Sequence, residues 1–242
     1  GITEKNTAPL YSLAEHMGIS IIEHDKNIGG RFSIFSHTGL IPISLISNNV
    51  EQLFIGLEKS LDNFINNDYE IVDISPLSMA NKKYELISNG KKISVMLFYG
   101  DELVELGNWL KQLFAESLGK QNFGYLPIVS RMTQDQHSLL QLYLDGPRDK
   151  FFEIYSSDYN DSNDFINITL SNHKEAMIKT LESENLPIIR VDSYEVENSK
   201  KILPQLGYIF SNSILEVLLL SELGRVDPFG QDAVEKQKNF LK

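Results

Sequence analysis

Lys92-Ile93-Ser94-Val95-Met96-Leu97-Phe98-Tyr99 ends in five consecutive apolar residues. A strand that alternates apolar and polar residues has one wet face; a continuous run such as this is covered on both faces, as in the middle of a parallel sheet. Gly100 follows, and then 101–118 carries Leu103, Leu106, Leu110, Leu113, Phe114 and Leu118 on one stripe of a helix closed by Gly119. The same strand-then-helix order continues downstream. Strands are expected at 126–129, 151–155, 165–170 and 187–191, and helices at 133–145, 173–185, 205–223 and 231–241. In the helix at 133–145, Thr133 is the expected N-cap, with Gln136 completing a capping box, and Gly146-Pro147 ends it. The polar stretch 156–164 separates two of the strands as a loop. From about residue 91 onward the pattern predicts an α/β layered domain with a mainly parallel sheet.

Upstream of that strand the reading is mostly helical. A helix at 7–18 places Leu10, Leu13, Ala14 and Met17 at helical spacing before Gly18. A short buried strand covers 19–22. A glycine turn follows at 27–33, then a buried helix at 34–46. Helices at 50–65 and 75–89 complete this part. Residues 1–48 read as the tail of another α/β unit, with the rest of that unit expected upstream of Gly1.

Composition narrows the function classes. The chain has 242 residues, 42% of them hydrophobic and 23% charged, which is enough for one large domain, or one domain with part of another. A net charge of −11 repels phosphate backbones and argues against a nucleic-acid surface. The absence of cysteine removes disulfides, thiolate metal ligands and thiol nucleophiles, and accords with a reducing cytoplasm. The N-terminus lacks the basic and apolar regions of a signal peptide. The most apolar window, 208–223, is interrupted by Ser211, Asn212, Ser213 and Glu216 and reads as too short and polar to span a membrane.

Four weak signals could carry chemistry. Glu116 falls at the edge of the apolar stripe of its helix, beside Trp109, where partial desolvation would raise its pKa and suit it to proton abstraction. Periodicity alone favours an ordinary boundary glutamate. Gly29-Gly30-Arg31 follows a strand and precedes a helix, so its backbone can approach a ligand and Arg31 can meet negative charge; the triplet by itself favours a plain turn with a surface arginine. His137, in the first turn of its helix, would stay neutral there and able to accept a proton, or serve as a capping residue. Gln231 and Lys238 are seven residues apart, on one helical face, where Lys238 reads either as a proton donor or as a surface lysine. The remaining histidines, His16, His24, His37 and His173, have no metal-ligand spacing, so neither a metal nor any other cofactor is expected.

Taken together, the motifs resemble one family. Gly29-Gly30-Arg31-Phe32-Ser33 with Gly39-Leu40-Ile41-Pro42 resembles the GGR[FY]S…GL-P segment of glucose-6-phosphate isomerases. Trp109, then Gln112-Leu113-Phe114-Ala115-Glu116-Ser117-Leu118-Gly119-Lys120, resembles their W-x-x-Q-L-x-A-E-S-x-G-K signature. Asp135-Gln136-His137-Ser138 with Gln141-Leu142-Tyr143-Leu144-Asp145-Gly146-Pro147 is similar to a bacterial form of the family, and Asp227-Pro228-Phe229-Gly230-Gln231 with Val234-Glu235 and Lys238 is similar to its C-terminal segment.

The resemblance implies two sugar-isomerase (SIS) domains, each a three-layer αβα sandwich on a mainly parallel five-stranded sheet. Residues 1–48 would be the end of the first and 49–242 the second. It implies interconversion of glucose 6-phosphate and fructose 6-phosphate through a cis-enediolate, without a metal. Glu116 would be the base, Arg31 would stabilise the enediolate, and His137 and Lys238 would assist ring opening. Gly30, Arg31 and Gln231 would bind substrate. The histidine comes from the neighbouring subunit in this family, which implies a homodimer. Met132 departs from the usual small residue, and Gly230 with Asp232-Ala233 from the usual C-terminal pattern. The family's phosphate-binding S-K-[ST]-x-x-T-x-E-T loop is absent, so the isolated chain is expected to be weak or inactive. A non-catalytic SIS module that binds a sugar phosphate or supports a dimer is the alternative.

Overall fold

The computed structural model describes residues 1–5, 9–68, 74–156, 165–191, 202–238 and 240. Its centre is a parallel sheet of four strands among the described residues: β3 (Ile93–Tyr99), β4 (Leu126–Met132), β5 (Lys150–Ser156) and β6 (Ile188–Arg190), in the order β4-β3-β5-β6. The expected count was five. β3 pairs in register with both neighbours, Leu97 lying opposite Ser130 of β4 and Ile154 of β5.

Strand periodicity divides the core into two. Val95, Leu97 and Tyr99 pack on one side with Phe152 and Ile154, under α6 (Gln134–Asp145) and α7 (Phe165–Ser183). Met96 and Phe98 pack on the other side with Phe151 and Tyr155. That side is covered by α3 (Glu51–Asn66), α4 (Pro76–Ser88), α5 (Val104–Leu118) and α8 (Ile202–Gly224). The result is the layered α/β domain with a parallel sheet that the alternation of elements predicts, in the helix–sheet–helix form that the resemblance implies.

The closest helix contact is between α3 and α8. A Cβ on Gly56 would lie 1.8 Å from the Pro204 carbonyl oxygen, and one on Gly207 would lie 1.9 Å from that of Leu53. Only glycine lets the two backbones meet. One turn on, the Ser60 hydroxyl donates to Asn212 Oδ1 at 2.7 Å and lies 2.8 Å from the Ser211 hydroxyl. Gly207→Ala is therefore expected to cost ~3 kcal/mol through overpacking. A thermal melt should read this as a drop of roughly 6–12 °C.

α8 is longer than its apolar window suggested. By length and composition it could cross a membrane, yet half of that stretch is buried inside the fold. Its polar residues Ser211, Asn212 and Glu216 face α3 and α4, so here it serves as a core helix.

Several local expectations are corrected. Residues 165–170 begin α7 instead of forming a strand. Their alternating β-branched pattern mimicked a half-buried strand, but Phe165, Ile166 and Ile168 are exposed and the Thr169 hydroxyl donates to the Phe165 carbonyl one helical turn back. The capping box at Thr133 and Gln136 is not formed; the Thr133 side chain makes no cap hydrogen bond. The strand expected to be buried at 19–22 is β2 (Ile22–Glu23), exposed and paired in parallel with β1 (Ile2–Thr3). α1 (Pro9–His16) buries only Ala14. The helix expected at 34–46 is a 3-10 turn, Gly30–Phe35, followed by α2 (His37–Ile46), which has no buried residue. The loop expected at 156–164 falls mostly outside the described residues, as do the first residues of the helix at 7–18 and the last of that at 231–241.

Candidate active site

The 3-10 turn Gly30–Phe35 sets the site. Ser33 Oγ donates back to the Gly30 carbonyl at 2.7 Å, and Ser36 closes the turn by donating to the Ser33 carbonyl at 2.8 Å and capping α2. This geometry drives Arg31 inward until it is 3% exposed. Gly30 stays open: a Cβ built there meets nothing within 4 Å.

A buried guanidinium needs all its donors satisfied, and Arg31 finds partners on two distant segments. Its Nε donates to Ser117 Oγ at 2.9 Å. Nη1 donates to Glu116 Oε2 at 3.1 Å and to Gln231 Oε1 at 3.3 Å. Nη2 donates to the carbonyls of Pro228, Phe229 (2.9 Å) and Gly230 (3.3 Å). The rings of Phe32 and Phe229 meet at 5.4 Å over the same spot. Burial pulls the Arg31 pKa below the usual value, against the opposing pull of Glu116 and Asp227. Asp227 is held below the usual carboxylate range by the backbone N–H groups of Phe229 and Gly230.

Glu116 comes from the last turn of α5. Its Oε1 accepts from Gln112 Nε2 at 3.1 Å, one turn earlier, while Oε2 meets Arg31. Its side chain is 29% exposed, so one edge is open to an incoming molecule. The Trp109 indole packs edge-on against Phe210 at 4.8 Å. The arrangement thus sets the Glu116 carboxylate and the Gln231 amide each at hydrogen-bond distance from one cation, on segments 85 and 115 residues apart in the chain. Together they could accept a carbon-bound proton and balance negative charge on adjacent oxygens.

His137 and Lys238 stand differently. His137 is exposed in the first turn of α6, and among the described residues no contact joins it to the Arg31 cluster. Lys238 lies in the last turn of α9 (Asp232–Lys238), and its side chain falls outside the described residues. Lys120, the last residue of the signature around Glu116, does reach the cluster: its ammonium donates to the Asp227 carbonyl. Among the described residues no three His, Asp or Glu side chains group as a metal site. An open cleft of about 450 Å³ lies elsewhere, at the carboxyl ends of β3 and β4, lined by Asp101, Arg131, Met132 and Thr133 among others.

The phosphoglucose isomerase family model matches residues 10–173, a span that includes Arg31, Glu116 and His137. The glucose-6-phosphate isomerase of Methanocaldococcus jannaschii is 31% identical over 97% of this chain, which covers 60% of that protein. That of Rubrobacter xylanophilus is 30% identical over 98% of this chain and covered to 58%. The chain therefore spans about three fifths of these relatives' length. A hypothetical protein from Thermus thermophilus has a similar solved structure, with a TM-score of 0.79 at 23% identity, covering 99% of this chain and 61% of the other. At that identity the likeness concerns the fold.

Proposed function

Because the chain belongs to the phosphoglucose isomerase family, we propose that it carries the proton-transfer half of a glucose 6-phosphate–fructose 6-phosphate isomerase site. The observation that carries this reading is the contact of Arg31 with Glu116 at 3.1 Å and with Gln231 at 3.3 Å. In the proposed reaction Glu116 takes the proton from C2 of the open-chain aldose. The electron pair of that C–H bond forms the C1–C2 double bond, and charge moves onto the oxygens of a cis-enediolate. Arg31 faces that charge. Return of the proton to C1, with a proton moving from the C2 oxygen to the C1 oxygen, yields the ketose. No oxidant or reductant enters. Gly30 and Gln231 would line the bound sugar. His137 and Lys238 would move protons during ring opening, His137 from the partner copy of a homodimer; its exposure accords with that. A cytoplasmic setting is part of the same proposal.

We assign 1–48 to the tail of a first SIS domain and 49–242 to the second. A two-stranded parallel sheet such as β1–β2 is marginal by itself, and apolar residues of the same segment are uncovered: Leu45 is 81% exposed and Ile46 88%, with Leu10, Leu13 and Met17 also open. Both features support a missing covering layer. No S-K-[ST]-x-x-T-x-E-T segment is present to hold the phosphate, and the remote binding energy it would supply is lost with it. A coupled assay of fructose 6-phosphate conversion tests the reading on this chain and on any longer natural polypeptide that carries it. Turnover is expected in the longer form and little in the isolated chain. No turnover in either would favour the non-catalytic SIS module.

A further inference from the structure

Lys120 closes the signature around Glu116, yet the reaction scheme gives it no task. Its surroundings supply one. Gly119 ends α5, and Lys120 follows in a tight turn, its N–H bonded to the Leu118 carbonyl at 2.7 Å and its carbonyl accepting from Phe123 N at 2.8 Å. This holds the half-buried side chain toward the Asp227–Gly230 turn. Four consecutive carbonyls there, those of residues 227 to 230, are shared between two cations: Lys120 takes the first, and Arg31 Nη2 takes the other three. The Asp227 carboxylate braces the turn from inside, accepting from Phe229 N at 3.0 Å and Gly230 N at 3.1 Å.

We propose that Lys120 is a positioning residue: it pins the Asp227–Gly230 turn, and through that turn it fixes the guanidinium of Arg31 beside Glu116. The assignment rests on the isomerase reading for its purpose, although the geometry stands without it. Two cations on one turn repel, and burial together with Arg31 pushes the Lys120 pKa down, against the pull of Asp227, Asp232 and Glu116. A lysine with no structural task would swing into water. The carbonyl it holds would otherwise lose its cationic partner, loosening the three that grip Arg31.

Two readouts test the proposal in Lys120→Met and Lys120→Arg. The first is solvent exchange of the Arg31 Nε–H, followed by nuclear magnetic resonance on the folded chain. It is expected to quicken about tenfold or more in Lys120→Met and to stay within about threefold of wild type in Lys120→Arg. The second is the kcat–KM split for fructose 6-phosphate in whichever natural form turns over. Lys120→Met should lower kcat about tenfold with KM nearly unchanged, and Lys120→Arg should restore it. If Lys120→Met fails to fold, Lys120→Gln takes its place with the same expectation. Unchanged Arg31 exchange, or an arginine variant as impaired as the methionine one, overturns the proposal. Absence of turnover in the wild type counts against the isomerase reading alone, since the exchange measurement still decides whether Lys120 positions Arg31.

Discussion

On the proposed isomerase reading, replacing Glu116 with glutamine is expected to lower turnover by about 10²–10⁴-fold, the usual contribution of a general base. The amide keeps the shape of the carboxylate: its oxygen can still accept from Arg31, and its NH2 group can donate to the oxygen of a turned Gln112 amide, the two partners that lie 3.1 Å from the carboxylate oxygens of Glu116. It cannot accept a proton from carbon. The loss should therefore fall on kcat, with KM little changed. Folding should survive, because the side chain is partly open and Arg31 keeps Ser117, Gln231 and the three carbonyls of the turn. Steady-state kinetics on a form that turns over decides the matter. A rate within about threefold of wild type would remove Glu116 from the chemistry.

Lys83→Met should have the largest effect on stability. Lys83 is fully buried between two carboxylates, 2.8 Å from Glu153 on β5 and 2.6 Å from Glu216 on α8. It also lies 4.2 Å from the centre of the Phe114 ring, on the helix that carries Glu116. Glu153 is further held by Ser94 Oγ at 2.5 Å and Tyr155 OH at 3.0 Å. The buried Tyr125 and Tyr155 hydroxyls face both carboxylates and are held well above the usual tyrosine pKa, chiefly by burial. Removing the ammonium leaves two buried carboxylates uncompensated, a change expected to cost about 3–5 kcal/mol.

The cost should depend on pH. Burial raises the Glu216 pKa from 4.5 to about 7 in the folded protein. Between those values the folded state keeps a proton that the unfolded state has released. The stability from this group is complete below pH 4.5 and disappears as pH rises through about 7. Without Lys83 the drive to hold that proton is stronger, so the gap in melting temperature between wild type and variant should widen from pH 5.5 to pH 8. Lys83 itself is raised above 10.5, so its own titration lies above this window. A gap that stays constant with pH would contradict the account, as would a loss below about 1 kcal/mol.

The layers of the fold were legible because they follow from local pattern. The apolar run at 92–99 is β3, and the stripe at 103–118 is α5, which buries Leu106, Leu110, Leu113 and Phe114 as the spacing implies. Where pattern and environment part, the reading failed. Ile166, Ile168 and Leu170 alternate like a strand but lie on a helix, with Ile166 and Ile168 exposed. The meeting of Arg31, Glu116 and Gln231 could not come from periodicity, since they are separated by 85 and 115 residues; order-preserving motifs alone brought them together. Lys83, in Asn81-Lys82-Lys83-Tyr84, looks like any solvated lysine. One signal was available: Glu153 interrupts the apolar strand Phe151-Phe152-Glu153-Ile154, and a carboxylate buried in a sheet demands a cation. Likewise Gly56 with Ser60 and Gly207 with Ser211 mark close helix approach once their four-residue spacing is read.

The central claim is that Glu116 moves a proton between C1 and C2 beside Arg31. The direct measurement is solvent deuterium uptake during turnover in heavy water, read by nuclear magnetic resonance at C1 of fructose 6-phosphate and C2 of glucose 6-phosphate. The account predicts deuterium at both positions with the wild-type site, and its loss in Glu116→Gln. Wild-type turnover in Glu116→Gln, or equal deuterium uptake in it, would contradict the account.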